Sequence, residues 1–185
     1  FIGALLSLKP YGDRSSQIKF NIVNNASNLD CRYDAVIARL LYCNNSSVTS
    51  AVNASGVSYD KIVVIVDSAD YGGSGGSVAV GYNGSEMERL MNHELGHTLS
   101  GLLDEYQLYN SNGIIDSQTH SLFGSRGNCY AGSPPTSDWS GIALNSYVTS
   151  CNYPNWYRSS PTSIMLDLKS FFFNTVSQRK INDEI

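Results

Sequence analysis

Two histidines four residues apart, with a glutamate directly after the first, stand at His93–Glu94–Leu95–Gly96–His97. On an α-helix, residues i and i+4 lie one turn apart on one face, so two imidazoles at this spacing reach a single metal ion. Zinc suits such donors, and as a Lewis acid it makes water a nucleophile near neutral pH. Glu94 projects to the side, where it can take a proton from that water as it attacks a carbonyl and pass it to the leaving amine. This is the chemistry of peptide-bond hydrolysis. The plain alternative is a surface helix with two hydrogen-bonded histidines. The third histidine, His120, lies alone in a polar stretch and reads as a solvated loop residue.

A catalytic zinc needs a third protein ligand and an open position. The sequence after His97 reads TLSGLLDEY. Gly101 is placed to end the helix, and a turn there can swing Asp104 back toward the metal. Glu105 is the adjacent rival, and an acidic pair facing solvent is the third reading. Tyr106, Tyr153 and Tyr157 are candidates to donate a hydrogen bond to a developing oxyanion.

The string HELGHTLSGLLDEY resembles the active-site signature of the IgA-peptidase-type metalloendopeptidases, in which HE-x-GH is followed by Leu-x-Asp-Glu-Tyr. The matching residues are His93, Glu94, Gly96, His97, Leu102, Asp104, Glu105 and Tyr106. Tyr59–Gly76 is similar to that family's strand and Gly-rich loop, and Ser163–Ile164–Met165 resembles a metzincin Met-turn. The likeness extends from about Ile18 to Leu166. It implies a zinc site of His93, His97 and Asp104, with Glu94 as general base and Met165 as a support beneath the ligands. The spacing HExxHxxxGxxD is one residue longer before the glycine than the metzincin motif.

Other elements must position these groups. Ser85 with Glu88 reads as a capping box, and Met87, Leu90, Met91, Leu95, Thr98, Leu99 and Leu102 recur at helical spacing as one apolar stripe. Lys61–Asp67 (KIVVIVD) reads as a strand buried on both faces. YGGSGG (Tyr71–Gly76) breaks regular structure, and SVAVGY (Ser77–Tyr82) reads as an edge strand to which an extended substrate could pair. A helix end at the start of the chain, a half-buried strand at 18–24, short helices in 34–41 and 46–56, and a helix near the C-terminus complete the expected elements. Residues 107–162 show no period and read as a long, stapled loop region.

Composition narrows the class. The 185 residues suffice for one domain with a core, taken as a single catalytic domain over 1–185. A net charge of -4 with only 12 Lys and Arg gives no basic stripe for nucleic acid. No apolar run is long enough to span a membrane as a helix. Cys31, Cys43, Cys129 and Cys151 form no CxxC pair; of three pairings, Cys31–Cys43 and Cys129–Cys151 are favoured because each closes a local loop. Sequons at Asn25, Asn44, Asn45, Asn53 and Asn83 join the cysteines in favouring an oxidising, secreted setting and a glycoprotein. Four free thiols in a cytosolic protein are the alternative. The first residue is Phe1, so either a leader has been removed or the sequence is part of a longer one.

These readings converge on an α/β (α+β), zincin/metzincin-like catalytic domain, with a twisted mixed sheet packed on the active-site helix and a Met-turn below it. The expected protein is a monomeric zinc metalloendopeptidase acting on extracellular polypeptides. Its rivals are a zinc hydrolase of a non-protein amide and an inactive zinc-binding or adhesive module.

Overall fold

The computed structural model describes residues 1–24, 28–107, 127–131, 139 and 148–185. Helix α1 (Ile2–Ser7) opens the chain. A hairpin of β1 (Arg32–Tyr33) and β2 (Leu41–Tyr42) follows, closed at its base by the Cys31–Cys43 disulfide. Helix α2 (Asn45–Ala54) comes next, then β3 (Val63–Val66), β4 (Gly73–Ser74), β5 (Ala79–Tyr82) and helix α3 (Met87–Ser100). Strands β6 (Tyr130–Ala131), β7 (Val148–Cys151) and β8 (Tyr153–Arg158) lead to the final helix α4 (Thr175–Glu184). The result is an α+β fold with small sheets.

The sheet beside α3 is mixed, in the order β3-β5-β4, with β3 parallel and β4 antiparallel to β5. This reverses two expectations. SVAVGY forms the central strand, with all four residues of β5 buried. KIVVIVD contributes an outer strand, and Ile65 is 45 % exposed, so its β-branched run covers one face only. Part of YGGSGG is itself a strand, because glycine lets the backbone of β4 lie directly on its neighbours. A Cβ on Gly73 would stand 2.9 Å from the Val80 carbonyl oxygen and 3.0 Å from Leu90 Cδ2.

Other local readings also change. Residues 34–41 do not form a helix: Asp34 Oδ1 accepts from the amides of Val36 and Ile37, each at 2.8 Å, which turns the chain back into β2. Val36 at the tip is 91 % exposed, so the apolar spacing there has no core to face. Residues 18–24 are not in a strand; Ile18 and Phe20 pack against the core, but no strand among the described residues pairs with them. Within 107–162, the described residues include the antiparallel sheet β6-β8-β7, anchored by the Cys129–Cys151 disulfide. Both favoured disulfide pairings are present. Asn44, Asn45, Asn53 and Asn83 are exposed; Asn25 and His120 lie outside the described residues. Among the described residues, no helix is long and apolar enough to cross a membrane.

Of the expected α3 stripe, Leu90, Met91, Leu95, Thr98 and Leu102 are buried and Met87 and Leu99 half-buried, and burial extends around the helix. Leu90 through Gly96 are buried without interruption. Leu95 and Leu102 join a core with Leu5, Tyr11, Met165, Phe173 and Ile181, whereas Leu90 joins a second core with Leu41, Val48 and Val80. A helix between two cores has little solvent face, and its polar residues therefore face a cavity or each other.

Candidate active site

Helix α3 begins after Glu86, not Ser85, and no side chain caps it; the Glu86 amide instead donates to the Tyr82 hydroxyl at 2.8 Å. Its end is as expected. Gly101 adopts the left-handed conformation (φ 60°), its amide donates to the His97 carbonyl, and the Leu102 amide donates to the Gly96 carbonyl. That turn brings Leu102–Glu105 back along the helix.

Asp104 returns to the two histidines. Its Oδ1 lies 3.0 Å from His93 Nε2 and 3.2 Å from His97 Nε2, and the two Nε2 atoms are 3.1 Å apart. Each imidazole places its other nitrogen against a backbone carbonyl: His93 Nδ1 on Ile164 at 2.9 Å, and His97 Nδ1 on Leu102 at 2.6 Å. A carbonyl only accepts, so each Nδ1 carries the hydrogen and each Nε2 of a neutral ring presents a lone pair. Three acceptor atoms then face one another. Asp104 Oδ1 is buried without a donated hydrogen bond despite its two close nitrogens. Such a triangle requires a positive charge, either a proton or a metal ion. Bonds of about 2.0 Å in tetrahedral geometry would separate ligand atoms by about 3.3 Å, close to the observed edges. The donor set fits a zinc ion, and the carbonyl partners of both Nδ1 atoms orient the rings as metal-binding histidines require.

The electrostatics agree. Burial opposes charge on His97, but the Asp104 carboxylate outweighs it and pushes the imidazole up to about 9. Burial acts on Asp104 in the opposite sense, yet the two imidazoles hold its carboxyl well below the ordinary carboxylate range. Glu94 differs: desolvation raises its pKa, while the nearby histidines only partly counter this. A ligand atom of Glu94 falls within 4.8 Å of both histidine nitrogens. It is thus near the cluster but outside the close triangle that Asp104 completes.

Glu105, the rival third ligand, is committed elsewhere. Its Oε2 accepts from Ser163 Oγ at 2.6 Å, and its Oε1 accepts from Asn174 Nδ2 at 2.7 Å and Asn128 Nδ2 at 3.3 Å. It is fully buried, so neither the ligand reading nor the solvated reading fits it. The segment bearing Asp104 is held from the other side by Asn128, which bonds both the amide and the carbonyl of Leu103, and by Asn152, which donates to the Asp104 carbonyl. These asparagines adjoin Cys129 and Cys151. Nothing in their spacing marked them in advance.

A cavity of about 800 Å³ opens over Glu94 and the triangle. One wall is formed by residues 73–76, the other by Ile164 and residues 166–168, and Tyr106, Tyr71 and Arg39 also line it. A Cβ on Gly75 would stand 2.5 Å from His97 Cβ and 2.8 Å from the Glu94 carbonyl oxygen, so this wall lies directly on the helix. Of the three tyrosine candidates, only Tyr106 lines the cavity. Its ring stacks on His93 at 6.4 Å, and burial together with the Asp104 charge keeps its phenol protonated. Tyr153 and Tyr157 lie on β8, Tyr153 against Trp156 and Tyr157 opposite Tyr130 and Thr149. Arg39 was hidden in a segment that read as helix, and Tyr71 in one that read as a structure breaker.

A search of curated proteins finds none that matches the chain. Residues 13–156 match the family model described as IgA Peptidase M64, a span that contains every residue of the triangle and Glu94. Covering most of the chain, that match makes the protein a member of the IgA peptidase M64 family and hence a peptidase.

Proposed function

We propose that the protein is a zinc-dependent endopeptidase. His93, His97 and Asp104 would hold the zinc, which when bound supplies Lewis acidity for hydrolysis of an amide. The observation that carries this reading is the triangle of His93 Nε2, His97 Nε2 and Asp104 Oδ1, with edges of 3.0, 3.1 and 3.2 Å, close to those of ligands around one zinc ion. The remaining steps belong to the chain's own side chains. Glu94 is the general base, and its desolvated carboxyl has a raised proton affinity. The same carboxyl delivers the proton to the departing amine. Tyr106, which lines the cavity and stacks on His93, is the one of the three candidate tyrosines placed to donate to the developing oxyanion. The substrate backbone passes residues 73–76, since the central position of β5 rules out pairing there.

The turn at Ser163–Leu166 serves as the Met-turn. The Leu166 and Asp167 amides both donate to the Ser163 carbonyl, and Met165 is fully buried against α3. The two disulfides and the exposed sequons support a secreted glycoprotein with extracellular polypeptide substrates.

The test compares turnover of casein by the wild-type chain, the chelator-treated chain and the Glu94→Ala variant. Both treatments should reduce turnover by at least about 100-fold, with zinc restoring activity to the first only. Full activity in Glu94→Ala would refute the assigned base. Turnover confined to non-protein amides would favour the other hydrolase reading, and zinc binding without any turnover the binding-module reading.

A further inference from the structure

The cavity wall contains one cation that the proposed hydrolysis does not use. Among the described residues lining the cavity, Glu94, Asp104 and Asp167 are acidic, and Arg39 is the single Lys or Arg. The Arg39 guanidinium lies over the Tyr106 ring, with Cζ 5.7 Å from its centroid. The same ring stacks on His93, nearly parallel at 11°. Arg39, Tyr106 and His93 thus form a short series leading from the mouth of the cavity to the metal ligands.

The segment that carries Arg39 is built to hold it there. The Cys31–Cys43 disulfide closes its base, and Asp34 fixes the turn with two amide hydrogen bonds. The Arg39 carbonyl accepts from the Gly73 amide at 3.1 Å, and Leu40 bridges to Gly73 in parallel. Gly72 has no room for a side chain, because a Cβ there would stand 2.9 Å from the Arg39 carbonyl oxygen. The backbone of Arg39 is therefore fastened to the strand that walls the cleft, while its side chain remains exposed.

We propose that Arg39 is a specificity-determining residue that binds a substrate carboxylate, the side chain of an Asp or Glu near the scissile bond. This rests on the endopeptidase reading above. A guanidinium offers five donors in a planar fork that matches a carboxylate, and the aromatic face beneath it orients the fork without neutralising it. The two ring spacings put Arg39 Cζ no farther than about 12 Å from the His93 ring, the reach of three to four extended residues. The acidic residue thus falls within about three positions of the cleaved bond. Glu94 and Asp167, the cavity carboxylates not assigned to the metal, would repel such a substrate wherever Arg39 did not receive it.

The test uses octapeptides in which a single Asp, or Asn as its neutral counterpart, is moved along the chain. Binding is measured by fluorescence anisotropy on zinc-loaded Glu94→Ala, and kcat/KM on the otherwise unaltered enzyme. At one or two positions Asp should be favoured over Asn by about tenfold, with the preference weakening as salt rises. Arg39→Gln should abolish that preference, Arg39→Lys should retain part of it, and Arg39→Glu should turn it toward Lys-bearing peptides. An undiminished Asp preference in Arg39→Gln, or no preference at any position, overturns the proposal. Casein turnover without an Asp preference sinks the Arg39 assignment alone. An Arg39-dependent preference in binding without any turnover sinks the endopeptidase reading and leaves the Arg39 site standing.

Discussion

The sulfur of Met165 lies 2.9 Å from the point where a Cβ on Gly96 would stand. Gly96 is the fourth residue of HELGH and the one immediately before His97. Its missing side chain is what lets the 163–166 turn approach the helix beneath the two histidines, and the Ile164 carbonyl of that turn orients His93. The glycine in the motif is thus a packing requirement of the site.

Gly96→Ala should be destabilising. The added methyl also meets Phe173 Cε1 at 3.1 Å and Leu102 Cδ1 at 3.3 Å. Overpacking of this kind costs about 1–3 kcal/mol. Urea unfolding should show a lower midpoint at unchanged m-value. A midpoint equal to that of the wild type would mean that the turn does not press on the helix.

Asp104 and Glu105 should separate cleanly by variant. Asp104→Ala should lower zinc affinity with little change in fold stability. Glu105→Ala should do the reverse, because it leaves Ser163 and Asn174 without their acceptor and Asn128 with only the Leu103 carbonyl, at about 1–3 kcal/mol for each buried donor left unpaired. Zinc titration and chemical unfolding of both variants decide the matter. Equal zinc loss in both would return Glu105 to candidacy as a ligand.

The Cys129–Cys151 disulfide should matter to metal binding as well as to stability. Asn128 and Asn152, one residue beyond each sulfur, hold Leu103 and Asp104. The double variant Cys129→Ser/Cys151→Ser should lose about 3 kcal/mol of stability. Its zinc affinity should also fall, because the Asp104 segment loses its clamp. Retained affinity in a folded double variant would show that the asparagines hold the segment without the covalent link.

Tyr11 supplies a pH dependence far from the metal. Its phenol is buried in the core against Phe173, finds no hydrogen-bond partner among the described residues, and is pushed above its ordinary pKa of 10.0 by desolvation. In the unfolded chain it ionises near its ordinary value; in the folded chain it holds its proton to higher pH. The resulting stability is complete below pH 10 and is lost as pH rises above it. Tyr11→Phe should therefore be as stable as the wild type or more so at pH 8, and its advantage should grow between pH 10 and 11. Parallel stability curves across that range would contradict the assignment.

The histidine half of the site was legible in the sequence because it depends on local geometry. An i, i+4 histidine pair on a helix and a glycine ending that helix fix His93, His97 and Gly101 with little help from the rest of the chain. Asp104 needed the family likeness, since its return to the histidines depends on a loop held by Asn128, Asn152 and Glu105. Those contacts join residues 23 to 69 positions apart and leave no periodic trace. Strand order was misread for a similar reason. The β-branched run of β3 looked central, but β5 between two neighbours is the strand buried throughout, and a two-residue glycine strand supplied its second partner. Arg39 escaped notice because apolar spacing in 34–41 imitates a helix, whereas Asp34 turns the chain.

The most direct test of the central claim is zinc binding by the purified chain, measured by elemental analysis and zinc-edge absorption beside His93→Ala and Asp104→Ala. The account predicts about one zinc per chain, bound by two imidazole nitrogens and a carboxylate oxygen, and its loss from both variants. A zinc retained with unchanged coordination in Asp104→Ala, or no zinc bound by the folded wild-type chain, would contradict it.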